Sequence, residues 1–219
     1  MLSQVSQAQT NMISSAADLA NFLNSDLDYI EARNERYRTI EGSPYLDSEF
    51  HPGSLSINKT KFTGVSLRYN CFEGYFEFES EQGVKYFDPK VTRIDTLWLE
   101  GDTFLYVYFQ SGKSGKQTYM KAVHIGPTSV YLHSTIIISQ PEETSGYVAA
   151  KPARFEKLAE TIYLGEAGKP AIEFKGKKSL EEIFPEHHAM LNSYVKSEKL
   201  KLKKVEDVVR LCEYYDAQR

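Results

Sequence analysis

From about residue 54 to residue 138 apolar and polar side chains alternate with a period of two, and this pattern constrains the fold more than any other feature. Leu55 and Ile57 alternate with Ser54, Ser56 and Asn58; Val65, Leu67 and Tyr69 with Ser66, Arg68 and Asn70; Phe76 and Phe78 with Tyr75, Glu77 and Glu79. Successive side chains of a strand point to opposite faces, so the pattern reads as antiparallel strands with one packed and one wet face. The parity predicts Leu55, Ile57, Val65, Leu67, Phe76 and Phe78 inward, so that a charge at Leu67 would be severely destabilising. It predicts Arg68, Asn70, Glu77 and Glu79 on the solvent side, with "CFEG" (71–74) at the turn. An Arg–Glu pair on such a face is worth roughly 0.2–1 kcal/mol, so Arg68→Ala is expected to be nearly silent.

More strands follow in "GVKYFDP", "RIDTLWL", "FLYVYFQ", "QTYMKAVHI" and "VYLHSTIIIS", joined by the turn-forming "EGD", "GKSGK" and "GPTS". Turn residues at short intervals between such runs indicate a meander. "FLYVYFQ" is apolar on both parities, with Phe104, Tyr106 and Tyr108 on one and Leu105, Val107 and Phe109 on the other. That strand must be covered on both faces. Residues 141–157, broken by Pro141, Gly146 and Pro152, read as a loop, and "ETIYLGEAGKPAIEF" (160–174) as a hairpin.

Both ends change to helical spacing. Leu19, Phe22, Leu23, Leu27 and Ile30 stripe residues 14–38; Val205, Val208, Val209, Cys212 and Tyr215 stripe the last segment. Ser179 with Glu182 has the spacing of a capping box. The expected architecture is mainly β: an antiparallel meander, as a sandwich or open barrel, with an N-terminal helical arm and a C-terminal helical pair. Residues 1–42 form the tail and arm, 43–178 the β domain, and 179–219 helices packed on the sheet.

The formal net charge is −4, from 26 Lys and Arg against 30 Asp and Glu. Lys175 to Lys204 holds eight Lys against four Glu, a span that reads first as a solvated helical face. Lys199, Lys201, Lys203 and Lys204 are its candidates for contact with an anionic surface. No Arg-rich, aromatic signature accompanies them, which argues against nucleic acid. No apolar run reaches the roughly 18 residues of a membrane span. The two cysteines, Cys71 and Cys212, have no CxxC partner; Cys212 reads as a small core residue, and whether the two pair is left open by their spacing.

Catalytic motifs do not emerge. "GKSGK" lacks the GxxxxGK[ST] spacing of a phosphate loop. His187 and His188 are adjacent and would diverge by ~100° on a helix, whereas His124 and His133 fall on neighbouring strands and read as sheet-surface residues. There is no G-x-S-x-G or H-E-x-x-H, and Glu77 with Glu79 reads as an ordinary wet strand. No cofactor is called for. Tyr75, Trp98, Tyr106, Tyr108, Tyr119 and Tyr131 are the candidate aromatic platform for a partner or a sugar ring.

"GSPYL" (42–46), Phe50 to Gly53, "VSLRYN" (65–70) and a Lys-rich tail ending in Tyr214-Tyr215 resemble an uncharacterised family of exported envelope proteins of Bacteroidota-type bacteria. The resemblance implies export to the periplasm or outer envelope and supplies no catalytic residues. It favours reading Met1 to Ala8, which ends in the small-residue pattern Ser6-Gln7-Ala8, as the tail of a signal peptide. The expected function is non-enzymatic binding of an envelope protein, another copy of the chain or a surface. The alternative is a barrel-like carrier of a small apolar or sugar ligand.

Overall fold

The computed structural model describes residues 12–13, 18–19, 22, 37–112, 114–140 and 152–219. The expected helix over 14–38 and the reading of residues 1–8 fall outside these, apart from Asp18, Leu19, Phe22, Tyr37 and Arg38.

The chain is mainly β. Its strands are β1 (Met12–Ile13), β2 (His51–Ile57), β3 (Thr60–Asn70), β4 (Tyr75–Ser80), β5 (Gly83–Tyr86), β6 (Thr96–Leu99) and β7 (Asp102–Ser111). There follow β8 (Ser114–His124), β9 (Thr128–His133), β10 (Ile136–Ser139), β11 (Arg154–Lys157), β12 (Thr161–Glu166) and β13 (Ile172–Glu173). Near the C-terminus the described residues form three helices: α1 (Ser179–Ile183), α2 (His188–Ser197) and α3 (Val205–Asp216). The main sheet runs β13-β12-β9-β8-β7-β6-β2-β3-β4-β5, all antiparallel, with β1 added in parallel to β3. Two meanders are therefore joined where the chain leaves β5 and returns beside β2.

The inward half of the period-two reading of the first meander holds. Leu55, Ile57, Val65, Leu67, Phe76 and Phe78 are all buried in one core cluster. Two local shifts keep them there: the β2–β3 register slips at Gly53/Ser54, and Gly64, opposite that slip, takes φ 65°. A bulge of this kind inserts a residue without turning the following side chains to the wrong face. Phe76 packs its ring against Phe104 and Tyr119, 5.3 and 5.2 Å between centroids, so β4 lies over β7 and β8. Leu19 is wholly buried in this cluster, and Phe22 meets Phe62 edge to face.

β7 is covered on both faces except at Tyr108, which stays exposed. Phe104 and Tyr106 face the first core; Leu105, Val107 and Phe109 join Met120, Tyr131, Tyr163 and Ala171 in a second. The far end of the sheet returns to this strand: Gln110 N–H donates to Ala171 O (2.9 Å), and Ala171 N–H donates to Tyr108 O (2.8 Å). The outer face of β9 and β12, carrying Val130, Ile162 and Leu164, packs under Leu180, Leu191, Val208, Leu211, Cys212 and Tyr215 of the helices. Asp216 fixes α3 to the sheet by accepting Thr128 N–H (2.9 Å) and Oγ1–H (2.7 Å).

Two expectations need correction. Within the segment read as a loop over 141–157, residues 154–157 form β11, which pairs with β10 from Ile136↔Lys157 to Ser139↔Arg154. "TIIIS" thus leaves the main sheet and needs a partner of its own. Nor does the capping box form: a 3-10 turn (Gly176–Lys178) precedes α1, and Ser179 Oγ accepts Lys175 N–H (2.8 Å) instead of capping the helix.

Candidate functional site

The hairpin face read as wet is buried. Glu77 and Asn70 have no exposed surface, and the Arg68 side chain keeps 14%. Arg68 and Glu77 are direct cross-strand partners, with Arg68 Nη2 2.7 Å from Glu77 Oε2 and Nε donating to the same oxygen at 2.8 Å. The cover is the segment from Ser43 to Phe50. Arg68 lies flat between Tyr45 and Phe50, 3.8 and 4.2 Å from their ring centroids. It also donates to Tyr45 Oη (2.8 Å) and Ser48 O (3.2 Å). Pro44 O accepts Cys71 and Phe72 N–H, so the backbone of this cover is tied to the end of β3. Asn70 donates to Glu77 Oε1 (3.3 Å) and accepts Glu73 N–H (3.0 Å). "GSPYL" and "LRYN" are therefore two halves of one packing unit, and Arg68, Asn70 and Glu77 are its interior. Glu79 alone of the four stays exposed, bonded to Ser66.

The six aromatic candidates do not share one platform. Tyr119 and Tyr75 are buried, the latter against Tyr86 at 4.8 Å. Trp98 is exposed on β6 with Lys61 4.9 Å from its ring. Tyr106, Tyr108 and Tyr131 do line one cleft, of about 380 Å3, with Arg93, Asp95 and Ser129. The ring of Tyr108 lies across Gly115, where any Cβ would collide with it.

A second, larger groove of about 520 Å3 opens where β7, β8, β9 and β12 end near the β3–β4 turn. Lys116, Thr118, His133, Thr161, Tyr163 and Glu173 line it. His133 packs against Phe109 and Tyr163, and burial lowers its pKa. Cys71 borders the same groove and donates to Ser134 O (3.2 Å). Burial pushes both thiols up to about 12, so neither is an activated nucleophile at neutral pH. They are unpaired and belong to different cores.

The other histidines separate. His124 stands opposite Val130, 3.8 Å from Glu213, while His133 stands opposite Thr161. His187 lies against Tyr215, and His188 Nδ1 is bonded to Pro185 O (2.8 Å). His51 is different: its Nε2 is 3.3 Å from Asp47 and its Nδ1 3.3 Å from Glu100. The three side chains can each present a ligand-type atom within 4.8 Å of the others, which makes them the metal-capable group among the described residues. The bond from Glu49 N–H holds the Asp47 carboxyl below the ordinary range, and His51 adds to the effect. Sequence reading misses this group because Glu100 comes from a distant turn; Asp47 and His51 at i,i+4 are the available sign.

The Lys-rich span is not one helical face. Residues 199–204 link α2 to α3 with alternate side chains inward: Leu200 is buried, Leu202 half-buried, and Lys199, Lys201, Lys203 and Lys204 are exposed. Gly176, at φ 81°, brings the Lys175–Lys178 turn beside this link; a Cβ at Gly176 would stand 3.8 Å from Leu202 Cβ. Seven exposed lysines thus come from two neighbouring turns. Lys175 pairs with Glu173 (3.1 Å); among the described residues the other six have no ion-pair partner.

Comparison with family models, curated proteins and solved structures finds no match in any of the three.

Proposed function

We propose that this is a non-enzymatic binding protein, exported to the cell envelope, that docks on an anionic surface through the lysines of the 175–178 and 199–204 turns. The observation that carries this reading is the convergence of the two turns. Six ammonium groups without acidic partners among the described residues lie on adjoining loops, the second anchored to the helical layer by Leu200 and Leu202. Each lysine held near an anionic surface contributes on the order of 1 kcal/mol, and the attraction fades within a Debye length of roughly 8 Å at physiological salt. Several weak contacts therefore add to a useful, salt-sensitive affinity. Export rests on the resemblance of the 42–53 and 65–70 motifs and of the tail.

Co-sedimentation with vesicles containing phosphatidylglycerol, against phosphatidylcholine alone, tests the docking. The expected result is binding to the anionic vesicles that weakens as salt rises and is lost when Lys177, Lys201, Lys203 and Lys204 are changed to Gln. Equal sedimentation of that variant, or binding indifferent to salt, would overturn it. Cell fractionation with an antibody to the protein tests the export.

The groove supports a second reading. In this reading the Ala171 bonds, which tie the residue before β13 to β7, would close β7, β8, β9, β12 and β13 around Val107, Phe109, Met120 and Tyr163. A carrier built this way would hold a small polar ligand such as a sugar at the open end, among His133, Tyr163, Thr161 and Lys116. Native mass spectrometry of protein purified from its own source separates the readings: a retained small molecule favours the carrier.

A further inference from the structure

We propose that His51, Asp47 and Glu100 form a binding site for a zinc-class divalent transition-metal ion. The three residues come from three places that the fold brings together. Asp47 belongs to the segment that covers Arg68, His51 opens β2, and Glu100 occupies the β6–β7 turn, where Glu100 and Gly101 both take positive φ, 51° and 83°. The register of β2 on β6, Gly53↔Leu99, places His51 next to that turn.

The sharpest observation is at His51 Nε2. This nitrogen is sealed from solvent and makes no hydrogen bond, although Asp47 Oδ2 lies 3.3 Å away. At that distance the two atoms are close enough to interact but not aligned to share a proton. A buried polar atom without a hydrogen bond calls for a physical explanation, and an ion is one of the standard ones. The spacing suits an ion as well. Zn–N and Zn–O bonds of about 2.0–2.2 Å at a tetrahedral angle put neighbouring ligand atoms about 3.4 Å apart, close to the Nε2–Oδ2 separation. Nδ1, on the other side of the ring, faces Glu100 Oε1 at 3.3 Å. A metal-ligating imidazole characteristically gives its second ring N–H to a carboxylate, which fixes the ring and raises the basicity of the ligating nitrogen.

The roles follow from this geometry. His51 Nε2 and Asp47 Oδ2 bind the ion, and Glu100 orients the imidazole through Nδ1–H. Asp47 Oδ1 is already held by Glu49 N–H at 2.9 Å, which leaves Oδ2 to the ion. The Asp47 side chain is more than half exposed, so it is from its side that water would reach the ion's remaining positions. An imidazole with a carboxylate suits zinc, copper or nickel rather than calcium, which takes six to eight oxygens. The consequence for the fold is a clip joining the segment over the Arg68–Glu77 pair to the β6–β7 turn.

The test uses untagged full-length protein treated with chelator, titrated calorimetrically with zinc chloride, nickel chloride and calcium chloride at neutral pH. One zinc or nickel ion should bind per chain, with calcium inert. His51→Gln should abolish binding, and Asp47→Asn should weaken it. Glu100→Gln should weaken it about 10–100-fold, as expected of a group that orients a ligand. A variant with His187 and His188 changed to Ala should bind like the wild type. Circular dichroism of each variant establishes that it is folded before its titration is read. Unchanged affinity in His51→Gln, loss of binding in the His187/His188 variant, no binding by the wild type, or equal affinity for calcium would each overturn the assignment.

Discussion

Replacing Arg68 by Ala tests the most consequential piece of packing in the structure. The substitution removes a guanidinium 2.7 Å from a carboxylate that has no exposed surface. It also removes the donors to Tyr45 Oη and Ser48 O and the plane held between Tyr45 and Phe50. Breaking a buried ion pair by deleting one partner costs about 3–5 kcal/mol, because the other charge stays buried and uncompensated. Asn70 remains as a donor to Glu77, which offsets part of this; the lost stacking adds roughly 0.5–2 kcal/mol. The expected loss is therefore about 4 kcal/mol. Urea denaturation followed by far-ultraviolet circular dichroism measures it. Arg68→Lys should fall between, since an ammonium keeps the charge but neither the fork nor the stacking plane. Arg68→Met combined with Glu77→Leu should recover most of the loss, because apolar pairs of similar volume replace buried ion pairs at little net cost. A loss below about 1 kcal/mol for Arg68→Ala would refute the burial of this pair and restore it to the surface role that strand parity suggests.

Three further outcomes are expected. Gly53→Ala places a Cβ 2.7 Å from Trp98 O and 2.8 Å from Leu67 Cδ1, and should cost about 1–3 kcal/mol in the same denaturation assay. In the native protein neither thiol should react with a thiol-specific disulfide reagent at pH 8, while both should react in urea. Since folding raises both thiols to about 12, their contribution to stability is complete below the unfolded value of about 8.5 and is lost as pH rises from there toward about 12. His133 has the opposite sign. Its pKa is lowered in the folded state, so it stabilises the fold above the ordinary value of about 6.5 and does so less as the pH falls, a dependence that His133→Gln should remove from a thermal melt series.

Strand parity made the first core legible, from Leu55 through Phe78, because one buried face imposes a period of two that only a register slip can break. It also made the double burial of β7 legible, since that strand is apolar on both parities. Parity could not show that the other face of β3 and β4 is covered too. Arg68, Asn70 and Glu77 look solvent-exposed to any rule that treats charge as exposure, and the rule fails when charges pair across strands under an aromatic cover. A sign was present: Tyr75 shares its parity with Glu77, next to Phe76 and Phe78, so β4 is apolar on both faces at its start. The lysines were visible as a composition bias, but their convergence depends on Gly176 lying beside Leu202, a contact that composition does not encode. The Asp47–His51–Glu100 group is likewise a product of register.

The position of β7 has a mechanical consequence. One strand supplies Phe104 to one core and Val107 and Phe109 to another, while its backbone is held by β6, β8 and Ala171. Neither half of the molecule can open without stripping that strand from the other, so the two meanders should melt as a single cooperative unit, with the β7 amides the last to exchange their hydrogens with deuterated water.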